Sequence, residues 1–192
     1  MIKKQSRNII KDYKQIILGI DPGTSITGFG VLGIDRKPVV LSMGIIDLRK
    51  LKDPYLKLKQ IFTETTELIE KYHPDELAIE APFYGKNVQS MLKLGRAQGV
   101  AISAALSFSI PIFEYAPRKI KMAITGKGAA SKEQVAQMLE HILSFHIESN
   151  NLDASDGLAA ALCHYYQRKT QTGKSGYKSW NEFMKKNPDR IK

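Results

Sequence analysis

Cysteine is almost absent from this chain, with Cys163 the single one in 192 residues. A lone cysteine excludes an internal disulfide, and a reducing cytosol is the expected setting. No apolar run approaches the roughly 20 residues that cross a bilayer, so a membrane span is not expected. The opening Met1-Ile2-Lys3-Lys4-Gln5-Ser6-Arg7 has the charge of a secretory signal. It lacks the apolar stretch and the small-residue cleavage site that would follow. Acids are also scarce, 19 against 29 Lys and Arg, giving a net charge of +10. What remains is ordinary: 43% hydrophobic residues, and a length that suits one domain with a full core.

The placement of the charge says more than its size. Residues 1–15 carry five bases and one acid, and residues 168–192 carry eight and two. The middle, 16–167, has sixteen of each and is neutral. Within it, residues 81–132 hold eight bases (Lys86, Lys93, Arg96, Arg118, Lys119, Lys121, Lys127, Lys132) against Glu114 alone. Residues 16–80 net −2 and residues 133–167 net −5. Acidic segments beside a basic band, with basic ends, suit a protein that grips a polyanion. A merely solvated lysine-rich surface is the plainer alternative.

Periodicity predicts an α/β domain. Residues 1–15 read as a polar arm. Strands are expected at 16–20, 26–34 and 38–46, the last two separated by Asp35-Arg36-Lys37-Pro38. Asp53-Pro54 is a helix start, with Asp as N-cap and Pro in the first turn, and His73-Pro74 closes that helix. A buried strand at 76–80 follows, then a helix over roughly 87–107, in which Gly95 and Gly99 permit close packing within the fold or across a dimer. A strand at 111–116 and a short helix at 117–124 come next. Ser131 and Gln134 form a capping box for a further helix, and a last one runs from near Asp153 to about Arg168. Trp180, Phe183 and Met184 suggest one docked helical turn in the tail. The order βββ-α-β-α-β-α with a final helix is that of a ribonuclease H-like fold: a mixed five-stranded sheet with helices on both faces. In that architecture the first and fourth strands are neighbours.

Four carboxylates stand out against this plan. Asp21 ends the apolar run Ile16–Ile20, Glu80 ends Leu77-Ala78-Ile79, and Asp153 and Asp156 stand three apart at the start of the last helix. Acids that terminate buried strands are costly unless compensated. The usual compensation for several together is a divalent cation, and Mg²⁺ suits an all-oxygen set. Asp21 is the natural bridging ligand and Glu80 a ligand from the neighbouring strand. Asp153 and Asp156 share a helix face, in a first turn that favours negative charge. Two ions about 4 Å apart would supply what phosphodiester hydrolysis needs. Singly, the acids have duller uses: Asp153 as an N-cap, Asp21-Pro22-Gly23 as a turn.

At this point the chain resembles the RuvC family of Holliday-junction resolvases over about residues 16–168. The resemblance is carried by Ile17-Leu18-Gly19-Ile20-Asp21-Pro22-Gly23-Thr24 with Thr27-Gly28-Phe29-Gly30-Val31, and by Ala78-Ile79-Glu80 with Phe83 and Lys86-Asn87. Leu92-Lys93-Leu94-Gly95-Arg96-Ala97-Gln98-Gly99-Val100, Phe113-Glu114-Tyr115-Ala116 and Asp153-Ala154-Ser155-Asp156-Gly157-Leu158-Ala159 complete it. It implies a cytoplasmic homodimer that binds a four-way DNA junction and makes two symmetric nicks with Mg²⁺ or Mn²⁺. The products would be ligatable 5′-phosphate ends, and branch-migration proteins of the RuvA and RuvB kind would be partners. It implies a catalytic, metal-binding tetrad of Asp21, Glu80, Asp153 and Asp156. Phe83 would be a wedge that stacks on unpaired bases, a core aromatic being the alternative. Lys121 and Lys132 would support DNA binding and activity, and Lys86 and Arg96 would make backbone contacts. The basic arm 1–15 and tail 169–192 fall outside the resemblance and suggest extra, non-specific grip. Pro82 would stiffen the wedge loop.

Three rivals remain. Gly19-Ile20-Asp21-Pro22-Gly23-Thr24-Ser25 also resembles the first phosphate motif of the actin and sugar-kinase group. Those proteins need a second such domain, and that reading leaves Asp153 and Asp156 unused. A non-catalytic junction binder would gain nothing from carboxylates facing phosphates. Another ribonuclease H-like nuclease, acting on RNA–DNA hybrids, would not account for Phe83.

Overall fold

The computed structural model describes residues 13–82, 87–147 and 152–172. Strands β1 (Gln15–Asp21), β2 (Ile26–Ile34) and β3 (Pro38–Asp47) make an antiparallel meander. Strands β4 (Glu76–Glu80) and β5 (Ile112–Tyr115) extend it in parallel, so the sheet order is β3-β2-β1-β4-β5. Helix α1 (Pro54–Tyr72) leads from β3 to β4, and α2 (Val88–Leu106) leads from β4 to β5. Helices α3 (Pro117–Thr125), α4 (Lys132–Leu143) and α5 (Leu152–Thr172) follow β5. The expected mixed sheet is present.

Local chemistry accounts for the helix ends. The Asp53 carboxylate accepts from the N–H groups of Tyr55 and Leu56, satisfying donors the first turn leaves open. Ser131 and Gln134 form the reciprocal capping box. Gly126 closes α3 at φ +72°, a conformation that favours glycine.

Strand parity divides the core into two layers. Ile16, Leu18 and Ile20 of β1, with Leu77 and Ile79 of β4, pack with Ile61 and Ile69 of α1 and the alanines of α2. Ile17 and Ala78 point the other way and pack with α3, α4 and α5. Because side chains alternate along a strand, Asp21 follows Ile17 and Gly19 onto the α5 face. Glu80 follows Glu76 and Ala78 onto the same face.

Helix α5 lies directly on that face because side chains are missing where it crosses. A Cβ on Gly28 would stand 2.0 Å from the carbonyl oxygen of Asp153, and one on Gly19 would stand 2.1 Å from that of Gly157. Both are far inside van der Waals contact, so only glycine admits the helix at this depth.

The far end of α5 is held by polar groups. The Glu76 carboxylate accepts from Gln15 Nε2 at 2.5 Å, His164 Nε2 at 2.7 Å and Arg168 Nη1 at 2.6 Å. His164 is buried, and its Nδ1 lies 2.6 Å from the Tyr115 hydroxyl. Burial lowers the pKa of His164 and pushes that of Tyr115 up to about 12. A neutral imidazole that donates from Nε2 and accepts at Nδ1 satisfies every partner.

Three expectations change. The last helix is longer than expected, reaching Thr172. Asp153 lies inside its first turn and Asp156 a turn further in, so Asp153 is not the N-cap and only Asp153 has the first-turn position. Nothing among the described residues stands within 4 Å of a Cβ placed on Gly95 or Gly99, so the fold does not use that stripe for internal packing. The docked turn expected at Trp180, Phe183 and Met184, and nearly all of the arm and tail, lie outside the described residues.

The α5 contact makes a sharp prediction. Gly28→Ala should lower stability by about 1–3 kcal/mol, the usual cost of overpacking, or about 2–4 °C of melting temperature per kcal/mol. Thermal melts followed by circular dichroism test this; an unshifted melt would mean that α5 does not rest on β2 as described.

Candidate active site

The site lies at the edge of the sheet where β1 and β4 end. Ile20 pairs with Ile79 in parallel register, so Asp21 and Glu80 are the next residues on adjacent strands. Together with Pro22, Ala81, Pro82 and Leu94 they line a cavity of about 140 Å³. The Thr27 hydroxyl locks the turn after Asp21, accepting from Gly23 N–H at 3.2 Å and donating to Gly23 C=O at 3.3 Å. Lys57 of α1 donates to the Thr24 carbonyl at 2.8 Å and ties the same turn to the helix.

Asp153 and Asp156 enter from α5. Lys132, the first residue of α4, reaches across and bridges them. Its ammonium donates to Asp153 Oδ1 at 2.9 Å and lies 2.5 Å from Asp156 Oδ2. Burial alone would lower the Lys132 pKa, but the hydrogen bonds to Asp156 and Asp153 outweigh it and hold the amine charged.

The acids repel one another through a poorly solvated space. Burial, then the charge of Asp156, pushes Asp21 up to about 7, with Asp153 adding to the rise and Lys132 opposing it. Burial, then the charges of Asp21 and Asp156, pushes Glu80 up to about 8. Burial also raises Asp156, against the pull of Lys132. The charge of Lys121 acts on both Glu80 and Asp156, which brings that lysine into the same field.

The structure therefore gathers six of the sequence candidates: Asp21, Glu80, Asp153, Asp156, Lys121 and Lys132. Arg96 is exposed on α2 and lines a different cavity, together with Gly23, Thr24 and Ser25. Phe83 and Lys86 lie outside the described residues. Three positions escaped the sequence reading. Lys57 is one. Gln98 is another, nearly buried, donating to Glu114 at 2.7 Å and more weakly to the Glu80 carbonyl at 3.4 Å. Arg49 is the third: Asp47 grips it through Nε and Nη2 at 2.9 and 2.7 Å, at the same sheet edge, where the charge of Asp153 also reaches it. A polar residue on the alanine face of α2 was the available signal for Gln98; the other two have none in sequence.

The donor set suits divalent cations. All four acids offer hard oxygen ligands, and the raised Asp21 and Glu80 pKa values mark negative charge that Lys132 and Lys121 leave uncompensated. Among the described residues no three acidic, histidine or cysteine side chains stand together at coordinating distance. Lys132, drawn between Asp153 and Asp156, holds two of the four in its own ion pairs.

A mixed sheet in this order, flanked on both faces by helices, is that of the ribonuclease H-like nucleases. Comparison with known proteins narrows the class. The profile of the family described as crossover junction endodeoxyribonuclease RuvC matches residues 17–164. The RuvC protein of Christiangramia forsetii is 58% identical over 194 aligned positions, covering 100% of both chains. That of Bacteroides fragilis is 60% identical over 182 positions, covering 93% of this chain and 97% of its own. A solved structure of Thermus thermophilus RuvC in complex with a Holliday-junction substrate superimposes with a TM-score of 0.75 at 28% identity, over 82% of this chain and 97% of the other. The chain belongs to the RuvC family of crossover junction endodeoxyribonucleases. Dependence on divalent metal is general in that family. Among the described residues no helix is long and apolar enough to cross a membrane.

The raised pKa values make a signed prediction. Between about pH 4 and pH 7–8 the folded site retains protons that the unfolded chain has released. Stability contributed by these groups therefore falls as pH rises through that window. In EDTA at pH 8, Asp21→Asn should melt a few degrees above wild type, with the gap closing towards pH 5. Added Mg²⁺ should raise the wild-type melt more than that of the variant. A gap independent of pH would contradict the mutual repulsion.

Proposed function

We infer that this chain cuts four-way DNA junctions by paired symmetric nicks, through divalent-metal-dependent phosphodiester hydrolysis, in recombination and repair. The observation that carries this reading is the meeting of four carboxylates from β1, β4 and α5 at one sheet edge, with a lysine from α4 among them.

Asp21, Glu80, Asp153 and Asp156 would hold two Mg²⁺ ions, with Mn²⁺ able to substitute. Bound there, the ions supply a water acidic enough to act as nucleophile near neutral pH and neutralise charge on the phosphate. The chain's own part is to hold the acids. Asp21 and Glu80 stay fixed because each ends a buried strand. Asp153 and Asp156 stay fixed because α5 cannot shift on its glycine bed. Lys132 keeps two acids together before DNA arrives and then offers its ammonium to the scissile phosphate, where a positioned cation stabilises developing charge. Lys121 supplies a second positive charge to the same space.

The assembly is a homodimer, which places one such site on each of two symmetric strands. The exposed face of α2 supports this: Val88, Leu92 and Leu106 are exposed there, and Gly95 and Gly99 lie open. Phe83 stacks on bases unpaired at the junction centre, and Lys86 and Arg96 contact the DNA backbone. The basic arm and tail add non-specific grip, and RuvA- and RuvB-like proteins deliver junctions.

The test is nicking of a labelled mobile four-way junction in Mg²⁺ and in EDTA. Wild type should make paired, Mg²⁺-dependent nicks. Asp21→Asn and Asp156→Asn should bind the junction yet cut at least 10²-fold more slowly, and Lys132→Ala should lose about 10²–10³-fold, the scale for losing one preorganised electrostatic contact. Phe83→Ala should bind but cut poorly. Tight binding with no nicking under any divalent metal would establish a junction-binding protein without catalysis.

A further inference from the structure

A second, larger cavity of about 300 Å³ lies between α1 and α2. Its floor is apolar, made by Leu48, Leu58 and Ile61. Tyr55 stands at its lining and is 73% exposed, so its ring is open to a ligand. Lys52, Lys93 and Arg96 also line it, and none of them makes an ion pair among the described residues. No acid lines it. Thr24 and Ser25 contribute the polar atoms of the turn itself.

The two cavities share no lining residue, but consecutive residues divide between them. Pro22 lines the catalytic one and Gly23 the second; Leu94 lines the first and Lys93 the second. Consecutive Cα atoms are about 3.8 Å apart, and a stacked DNA strand advances about 3.4 Å per nucleotide. A strand with one phosphate at Asp21 and Glu80 would have a neighbouring nucleotide on the scale of that step between the two linings. The volume sits at the lower end of the roughly 300–1,000 Å³ typical of small-molecule pockets, which suits a single base. An apolar floor and an exposed ring fit the faces of a base. Unpaired cations at the rim fit its phosphate.

We propose that this cavity receives the base of a nucleotide flanking the scissile phosphate, unstacked from the cleaved strand and laid against Tyr55, with Lys93 and Arg96 on the adjacent phosphate. The assignment rests on the nuclease reading above and adds to it a place where sequence is read. The Thr24 and Ser25 hydroxyls are then the groups that discriminate one base from another, and the turn that carries them is the one that carries Asp21. Base identity is thus sensed on the same short segment that presents a catalytic acid.

The test uses the full chain and junctions with an abasic residue at either position flanking the scissile phosphate. Wild type should nick one of the two abasic junctions tenfold or more slowly than the intact one, the loss expected of one base–aromatic stack. Tyr55→Ala should nick intact and abasic junctions at nearly the same rate, and Tyr55→Phe should restore the difference. Wild type that ignores both abasic positions, or Tyr55→Ala that still distinguishes them, would overturn the proposal. So would a change in the oligomeric state of Tyr55→Ala in sedimentation, which would make the cavity a contact between copies. Absence of nicking on intact junctions by wild type would instead refute the nuclease reading itself.

Discussion

The structure depends on one contact: the backbone of α5 laid directly on the backbone of β1 and β2. Asp21 and Glu80 are separated from Asp153 and Asp156 by most of the chain, and nothing local brings them together. What does so is the removal of side chains at the crossing. Gly19 meets Gly157 and Gly28 meets the carbonyl of Asp153, so the helix sits where an ordinary side-chain layer would keep it several ångströms away. The last two acids then come to the same edge as the first two. Glu76 fixes the other end of the helix through His164 and Arg168, so α5 is held at both ends, by close backbone approach at one and by hydrogen bonds to one carboxylate at the other.

The electrostatics follow from that placement. Bringing Asp21, Glu80 and Asp156 into a half-buried space raises all three pKa values, chiefly through lost hydration and then through mutual repulsion. Such an arrangement works against the fold, and the fold tolerates it because the surrounding core is extensive. Lys132 relieves part of the conflict by pairing with Asp153 and Asp156, leaving Asp21 and Glu80 relieved only at a distance. The residual imbalance is what makes the edge receptive to further positive charge, as strained or uncompensated features at functional sites commonly do.

Much of this was legible in the sequence, and the reason differs from element to element. Asp21 and Glu80 were readable because an acid that ends an apolar strand has few structural uses. The α1 and α4 caps were readable because capping is a matter of residues within one turn of each other. The adjacency of β1 and β4 came from element order. Most of the features that escaped are long-range pairings with no local signature; the Arg49–Asp47 pair is local but is placed at the site only by the fold. Gly28 under Asp153, Lys57 on the Thr24 carbonyl, and Glu76 with His164 each join residues 33 to 125 positions apart. The start of α5 was readable to within a residue, near Asp153 against the observed Leu152; what the sequence misplaced there was Asp156, expected in the first turn and found beyond it.

Four of the eight bases of the band 81–132 have places near the site. Lys132 stands in the acid cluster and Lys121 within reach of its field, while Lys93 and Arg96 border the neighbouring cavity. Part of the positive charge that could have been a solvated surface in sequence therefore stands along the sheet edge where the acids meet. A phosphate approaching that edge meets cations on either side of the turn that carries Asp21. An acidic cluster by itself would repel DNA, whose phosphates carry the same sign. Lys93, Arg96, Lys121 and Lys132 set positive charge along that edge while Asp21, Glu80 and Asp156 stay largely buried. Attraction at the rim and repulsion at the centre are compatible only if the rim is held at fixed distance from the acids. The turn from Pro22 to Ser25, locked by Thr27 and tied down by Lys57, fixes the Asp21 side of that spacing, and Lys132, paired with Asp153 and Asp156, fixes the other.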